Sequence, residues 1–244
     1  MKTTLIASLI FSLGSFCAFA DGTITVYRDH AQPLKVSGAK HLADLVSQPQ
    51  LAGSWWLGAV ISERQASVEA QAQHQVLLNR LASLAAEEGG DDGAAINRVH
   101  QQLQAIKVTG RQRVILDPDR VRVRPHNNPP LEGDYELWVG PQPSTITLVG
   151  LVSAPGKKTF TPGKPVTDYL DDVSRLSGAE RSYAWLIQPT GRVEKVPVAY
   201  WNKRHVEPMP GSILYVGFAD HTFTSAYDGL NEQIISSLTH RIPD

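Results

Sequence analysis

Apolar positions follow two different spacings along this chain, and the places where one gives way to the other mark its elements. Thr23-Ile24-Thr25-Val26-Tyr27 alternates, His30 to Pro33 supplies a turn, and Leu34-Lys35-Val36 follows, which predicts two short strands. His41 to Ser47 carries Leu42, Leu45 and Val46 at helical spacing, and Pro49 ends that helix. After Trp55-Trp56, Leu57 to Ile61 is a short apolar run. From Glu63 to Glu88 the chain is rich in Ala, Gln and Leu, with Leu77, Leu81 and Leu84 on one helical stripe. Ile96, Val99, Leu103 and Ile106 form a second stripe, and Glu87 to Gly93 has turn composition between them. Residues 63–107 therefore predict an antiparallel helical hairpin.

Strand spacing resumes at Val108. Arg113 to Leu116, and Val121 and Val123 alternating with Arg120, Arg122 and Arg124, predict extended chain on both sides of an Asp117-Pro118-Asp119 turn. Tyr135 to Val139 is another strand, and Gly140-Pro141-Gln142-Pro143 breaks both periodicities and reads as a linker. The order of elements then begins again. Strands are expected at Thr145 to Val152 and Lys157 to Phe160, a helix at Val166 to Leu176, a hairpin at Ala184 to Gln188 with Arg192 to Val198, and a last strand at Ser212 to Phe218.

The two halves echo each other. Asp44 with Leu51-Ala52-Gly53 returns as Asp168 with Leu176-Ser177-Gly178, and the stretch from Gly133 to Gly140 returns as Gly211 to Gly217. With 63–107 set aside as an insertion, each copy has about 75 residues, which predicts a duplicated domain of the α+β class, one helix on a small mixed sheet. The expected division is 21–140 with its insertion, 144–220, and a tail at 221–244 whose Tyr227, Leu230, Ile234, Ile235 and Leu238 share one face of an amphipathic helix.

Composition narrows the classes. Lys2, the apolar run Leu5 to Phe16 and Ala18-Phe19-Ala20 form an export signal with cleavage expected after Ala20, which implies a periplasmic location. That run is too short to span a membrane as a helix, and no span is expected in the mature chain. Cys17 is the one cysteine and leaves with the signal; Phe16 before it is not the small residue a lipid-attachment signal wants. Without a cysteine the mature protein has no disulfide, thiolate metal site or cysteine nucleophile. The full chain has 23 Lys plus Arg against 24 Asp plus Glu, and no basic block, which argues against nucleic acid as a partner.

Val149-Gly150-Leu151-Val152 with Pro155-Gly156, Val166-Thr167-Asp168-Tyr169-Leu170, Leu176-Ser177-Gly178-Ala179 and Pro210-Gly211-Ser212-Ile213-Leu214-Tyr215-Val216 resemble the soluble-ligand-binding β-grasp domain of Gram-negative outer-membrane polysaccharide exporters. The whole mature chain is similar to the capsule biosynthesis GfcC family of group 4 capsule operons. Val46-Ser47-Gln48-Pro49-Gln50-Leu51, Trp55-Trp56, Val108-Thr109-Gly110-Arg111, Leu116-Asp117-Pro118-Asp119 and Asn128-Pro129-Pro130-Leu131 carry this similarity. So do Gly133-Asp134-Tyr135, Trp201 to Pro208 and the closing Arg241-Ile242-Pro243-Asp244. The resemblance implies two tandem β-grasp domains, a C-terminal helix, and a periplasmic, non-enzymatic accessory to capsule or exopolysaccharide assembly. Its partners would be the polysaccharide or the outer-membrane export machinery. The exporters' amino-terminal signature and acylated cysteine are missing here, which speaks against a pore-forming role. A monomer is expected.

Candidate binding residues follow from residue type. Arg111, after Gly110 where the insertion returns, and Arg113, on the same face if the segment is a strand, suit planar contacts to carboxylates or sugar hydroxyls; the alternative is a structural arginine bonding loop carbonyls. Trp55 and Trp56 offer a stacking platform or, more plainly, a loop anchor. Asn202, Lys203, Arg204 and His205 form a polar, basic loop suited to an acidic polymer or to solvent. His205 and His221 lack zinc spacing, Asp91-Asp92 and Asp171-Asp172 lack calcium-loop spacing, and no cofactor is expected. No nucleophile elbow, phosphate loop or H-E-x-x-H occurs. Asp117 and Asp119 are the carboxylates a polysaccharide-modifying hydrolase would need, but they flank a turn proline, where Asp is favoured for local reasons.

Overall fold

The computed structural model describes residues 22–28, 32–220 and 225–243. The expected export signal, Cys17, part of the expected turn at His30, His221 and Asp244 lie outside them.

Two mixed sheets carry the chain. In the first, β1 (Gly22–Arg28) pairs antiparallel with β2 (Leu34–Ala39), a short helix α1 (Leu42–Val46) crosses over, and β3 (Val60–Glu63) and β4 (Asp134–Val139) complete the order β2-β1-β4-β3. β4 runs parallel to β1 and antiparallel to β3. The second sheet repeats this plan with β5 (Thr145–Gly150), β6 (Gly156–Thr159), helix α5 (Val166–Asp171), β7 (Tyr183–Ile187) and β9 (Ile213–Val216). β9 is parallel to β5, and an added strand β8 (Val193–Pro197) extends the order to β6-β5-β9-β7-β8. The echo seen in the sequence is thus a repeated β-grasp topology. Gly53 (φ +77°) and Gly178 (φ +72°) occupy the same left-handed turn after the helix of each copy, a conformation that side chains other than glycine adopt at a cost.

The inserted hairpin consists of α2 (Arg64–Glu88) and α3 (Gly90–Gln104). The expected seven-residue turn contracts to Gly89, because Gly90 to Gly93 are already helical. Gly93 makes the tight hairpin possible: a Cβ there would stand 2.5 Å from the Ala85 carbonyl oxygen. Although the hairpin leaves from the first copy, its apolar stripe is buried on the second. Leu77, Leu81, Leu84, Ile96, Val99 and Leu103 belong to one core with Ile146, Leu148, Leu186 and Leu214. Each such side chain contributes roughly 1.5–3 kcal/mol by leaving water. The C-terminal helix α6 (Leu230–Thr239) joins the same core through Leu230, Ile234 and Leu238. The first copy keeps a separate core built on Ile24, Val26, Leu42, Leu45 and Leu137.

Three elements differ from the sequence pattern. Residues 118–123 form helix α4 (Pro118–Val123), not a strand, because the Asp117 carboxylate accepts the N–H groups of Asp119 and Arg120 and Pro118 stands in the first helical turn. Arg113 to Leu116 is irregular. α5 stops at Asp171, well short of Leu176, because Ser153 N–H donates to the Ser174 carbonyl and Ser174 N–H to Ser153 Oγ, drawing that segment toward the end of β5. The tail becomes α-helical only at Leu230, after a 3₁₀ turn at Ser225–Tyr227.

Candidate functional site

Where the hairpin returns, residues 107–111 are fastened on two sides. The C-terminal segment pairs with them: Thr109 N–H donates to the His240 carbonyl, and Ile242 N–H to that of Lys107, both at 2.8 Å. Behind them lies a buried hydroxyl cluster. Thr109 Oγ1 donates to Ser62 Oγ at 2.8 Å, and Ser67 Oγ donates to the Glu63 carbonyl at 2.8 Å and accepts the Gly110 N–H at 3.1 Å. Gly110 is pressed on the start of α2, where a Cβ would be 2.2 Å from the Ala66 carbonyl carbon. These contacts fix the backbone that presents Arg111.

The Arg111 side chain reaches from the first copy to the second. Its Nη2 donates to the Pro189 carbonyl at 2.6 Å, in the turn that joins β7 to β8. Gly191 (φ +85°) of that turn faces the guanidinium, and a Cβ there would lie 3.3 Å from Arg111 Cζ. Burial, reinforced by the like charges of Arg241 and Arg113, pulls the Arg111 pKa down to about 10. Among the described residues, no carboxylate lies within ion-pair distance of it.

Arg111 lines two cavities between the copies. One, of about 400 Å³, is bounded by Trp56, Leu57, Arg113, Asp117, Arg120 and Arg192. The other, of about 490 Å³, is bounded by Tyr27, Trp55, Trp138, Thr147, Lys157 and Arg241. Tyr27 and Trp138 stand opposite each other on parallel β1 and β4, on the face away from the core, and stack with ring centroids 5.3 Å apart and an interplanar angle of 12°. Trp55 turns its ring over Gly58, where a Cβ would meet Trp55 Cζ3 at 2.4 Å. Arg241 arrives through the backbone pairing of Val108 with Arg241, and its Nη2 donates to the Gly211 carbonyl.

The structure thus gathers Arg111, Arg113, Trp55 and Trp56 around one interdomain groove, with the two tryptophans facing different cavities. Trp56 also packs on the first core. The loop of Asn202, Lys203, Arg204 and His205 lines neither cavity. Asn202 braces that loop, accepting the Ala199 N–H and donating to the Ser182 carbonyl, and His205 contacts Glu207 at 2.9 Å. Sequence reasoning missed Tyr27, Trp138, Lys157 and Arg241. The outward positions of β1 and β4 signal the first two, but nothing local announces that the C-terminus returns to the groove. Asp117 borders the first cavity, with Oδ1 committed to capping α4. Among the described residues, no group of three metal-binding side chains occurs and no helix is long and apolar enough to cross a membrane.

Tandem β-grasp domains, with a helical hairpin inserted in the first and a basic, aromatic groove between them, define the class of protein. The profile described as "Capsule biosynthesis GfcC, N-terminal" matches residues 20–142, and "Capsule biosynthesis GfcC C-terminal" matches residues 154–243. The chain belongs to the capsule biosynthesis GfcC family, which supports a role in capsule assembly. It is 57% identical over 244 residues to "Uncharacterized protein YjbG" of Escherichia coli (strain K12), covering 100% of this chain and 99% of that relative.

Proposed function

We propose that this protein is a non-enzymatic periplasmic accessory of capsule or exopolysaccharide assembly that binds glycan in the groove between its β-grasp domains. The observation that carries this reading is Arg111, half-buried where two cavities meet, one of them lined also by Trp55 and the Tyr27–Trp138 stack. Sugar rings offer apolar C–H faces to aromatic rings and hydroxyls to a planar guanidinium fork. The pattern of Lys2, the apolar run Leu5 to Phe16 and Ala18-Phe19-Ala20, that of an export signal, supports the periplasmic assignment.

A polysaccharide-modifying hydrolase is the competing reading, and Asp117 is its best candidate acid. That carboxylate already holds the first turn of α4, which favours binding over chemistry. Replacing the chromosomal copy with Arg111→Ala tests the function. Surface polysaccharide is expected to fall while the amount of folded protein stays constant; unchanged surface polysaccharide overturns the anchor role. Incubation with capsule polymer is expected to yield no new reducing ends and no released acyl groups.

A further inference from the structure

We infer that the groove is selective for an acidic glycan, one whose sugar rings carry carboxylates, with Arg111 receiving the anionic group. This rests on the glycan-binding reading above and adds the class of sugar to it.

The argument starts from charge distribution. Across the whole chain, 23 Lys plus Arg face 24 Asp plus Glu, so nothing about the composition makes a positive groove inevitable. Yet Arg113 and Arg120 border the first cavity with Arg192, which Glu194 pairs at 3.8 Å, and the one carboxylate in the lining, Asp117, is engaged with backbone N–H groups. Lys157 and Arg241 border the second, and the Glu136 carboxylate reaches its edge by accepting the Tyr27 hydroxyl. Arg111 belongs to both.

The second element is the state of Arg111 itself. A guanidinium has five N–H donors, and the described contact of this one is a neutral acceptor, the Pro189 carbonyl. Burying a cation among like charges is unfavourable unless an anion compensates it. Gly191 leaves the space beside Cζ open on the side of the first cavity. A carboxylate entering the groove meets a planar fork able to bind it in bidentate fashion.

The third element separates a sugar acid from a small free anion. The Tyr27–Trp138 stack and Trp55 line the same cavity as Lys157 and Arg111, so the cations share their space with flat apolar surface. The volumes, about 400 and 490 Å³, fall in the range of organic-ligand pockets and exceed what an inorganic anion fills.

The test uses the full mature chain in calorimetric titrations with three probes: tetragalacturonate, the neutral tetramer obtained by reducing its carboxyl groups, and inorganic phosphate. Tetragalacturonate is expected to bind about tenfold or more tighter than the neutral tetramer, and to weaken as sodium chloride is raised. Arg111→Gln is expected to lose about tenfold or more of the affinity for the acid, with little effect on the neutral sugar. Because the Arg111 variant carries a risk to folding, Lys157→Gln, at an exposed strand position, serves as the second variant and is expected to give a smaller loss for the acid alone. Equal affinity for the acidic and neutral tetramers overturns the selectivity while leaving glycan binding standing. Phosphate binding as tight as that of tetragalacturonate reduces the site to an anion site and overturns the inference. Failure of both tetramers to bind overturns the inference together with the reading beneath it.

Discussion

Gln102, on the second helix of the inserted hairpin, grips both backbone polar groups of one residue, Gly150: its Oε1 accepts the Gly150 N–H at 2.8 Å, and its Nε2 donates to the Gly150 carbonyl at 3.0 Å. The hairpin is thereby tied to β5, the first strand of the second copy, by a side chain that imitates a neighbouring strand. An insertion that leaves from one domain completes the other. The groove walls, which come from both copies, are therefore held in one arrangement.

Gln102→Ala is expected to destabilise the protein by about 1–3 kcal/mol, because it strands the buried Gly150 N–H. Urea denaturation read by both tryptophan fluorescence and circular dichroism checks this. Coincident transitions are expected, since the hairpin and the second sheet share a core.

Asn231 performs the equivalent fastening for the C-terminal helix. Its Oδ1 accepts the Tyr215 hydroxyl and the Phe218 N–H, each at 2.9 Å, and its Nδ2 donates to the Phe218 carbonyl. Asn231→Ala is expected to lower stability by about 2 kcal/mol or more, because three partners lose their contact together. Tyr215→Phe leaves the two Phe218 contacts intact and is expected to lose only about 1 kcal/mol. Thermal unfolding of the two variants tests the order.

Alkaline pH should loosen the same region. Burial holds the Tyr215 hydroxyl well above its ordinary value of 10.0, and burial with the neighbouring Glu88 pushes Tyr227 up to about 12. Below pH 10 both the folded and unfolded chains keep these protons. Above it the unfolded chain releases them while the folded one retains them, so stability falls as pH rises from 10 toward 12 and beyond. Urea midpoints at pH 9, 10 and 11 should show the decline, and Tyr227→Phe should make it shallower. An equally steep pH dependence in Tyr227→Phe and the wild type contradicts the assignment.

Gly110→Ala should damage the groove without touching its lining. The added methyl meets the backbone of Ala66 and Ser67, so residues 109–111 must move away from α2 and carry Arg111 with them. Lower stability is expected together with weaker glycan binding. Lys203→Ala combined with Arg204→Ala, in a loop that lines neither cavity, should leave glycan affinity unchanged and stability within about 0.5 kcal/mol. Parallel melting and binding measurements distinguish the two cases.

Much of this fold is legible in residue spacing. The stripe of Leu77, Leu81 and Leu84 and that of Ile96, Val99 and Leu103 announce the hairpin, because a helix that buries one face must repeat apolar residues near every third or fourth position. The paired glycines Gly53 and Gly178 betray the duplication, since each serves the same backbone turn. Val121 and Val123 mislead: their alternation fits a strand, yet one capping carboxylate at Asp117 decides for a helix. For the site, Arg111 stands out by its place after Gly110. Arg241 does not, because its approach depends on a backbone pairing between Val108 and a segment more than 130 residues later. Nor does the sequence say that the adjacent Trp55 and Trp56 face different cavities, which follows from the 3₁₀ turn starting at Trp56.

The central claim is that glycan binds between the two β-grasp copies with Arg111 as its anchor. Calorimetric titration of the cell's own purified capsular or exopolysaccharide into the wild-type chain and into Arg111→Ala tests it most directly. The account predicts saturable binding to the wild type and a loss of about tenfold or more in the variant, with melting temperatures that agree. Undiminished binding by Arg111→Ala, or no binding by the wild type, would contradict it.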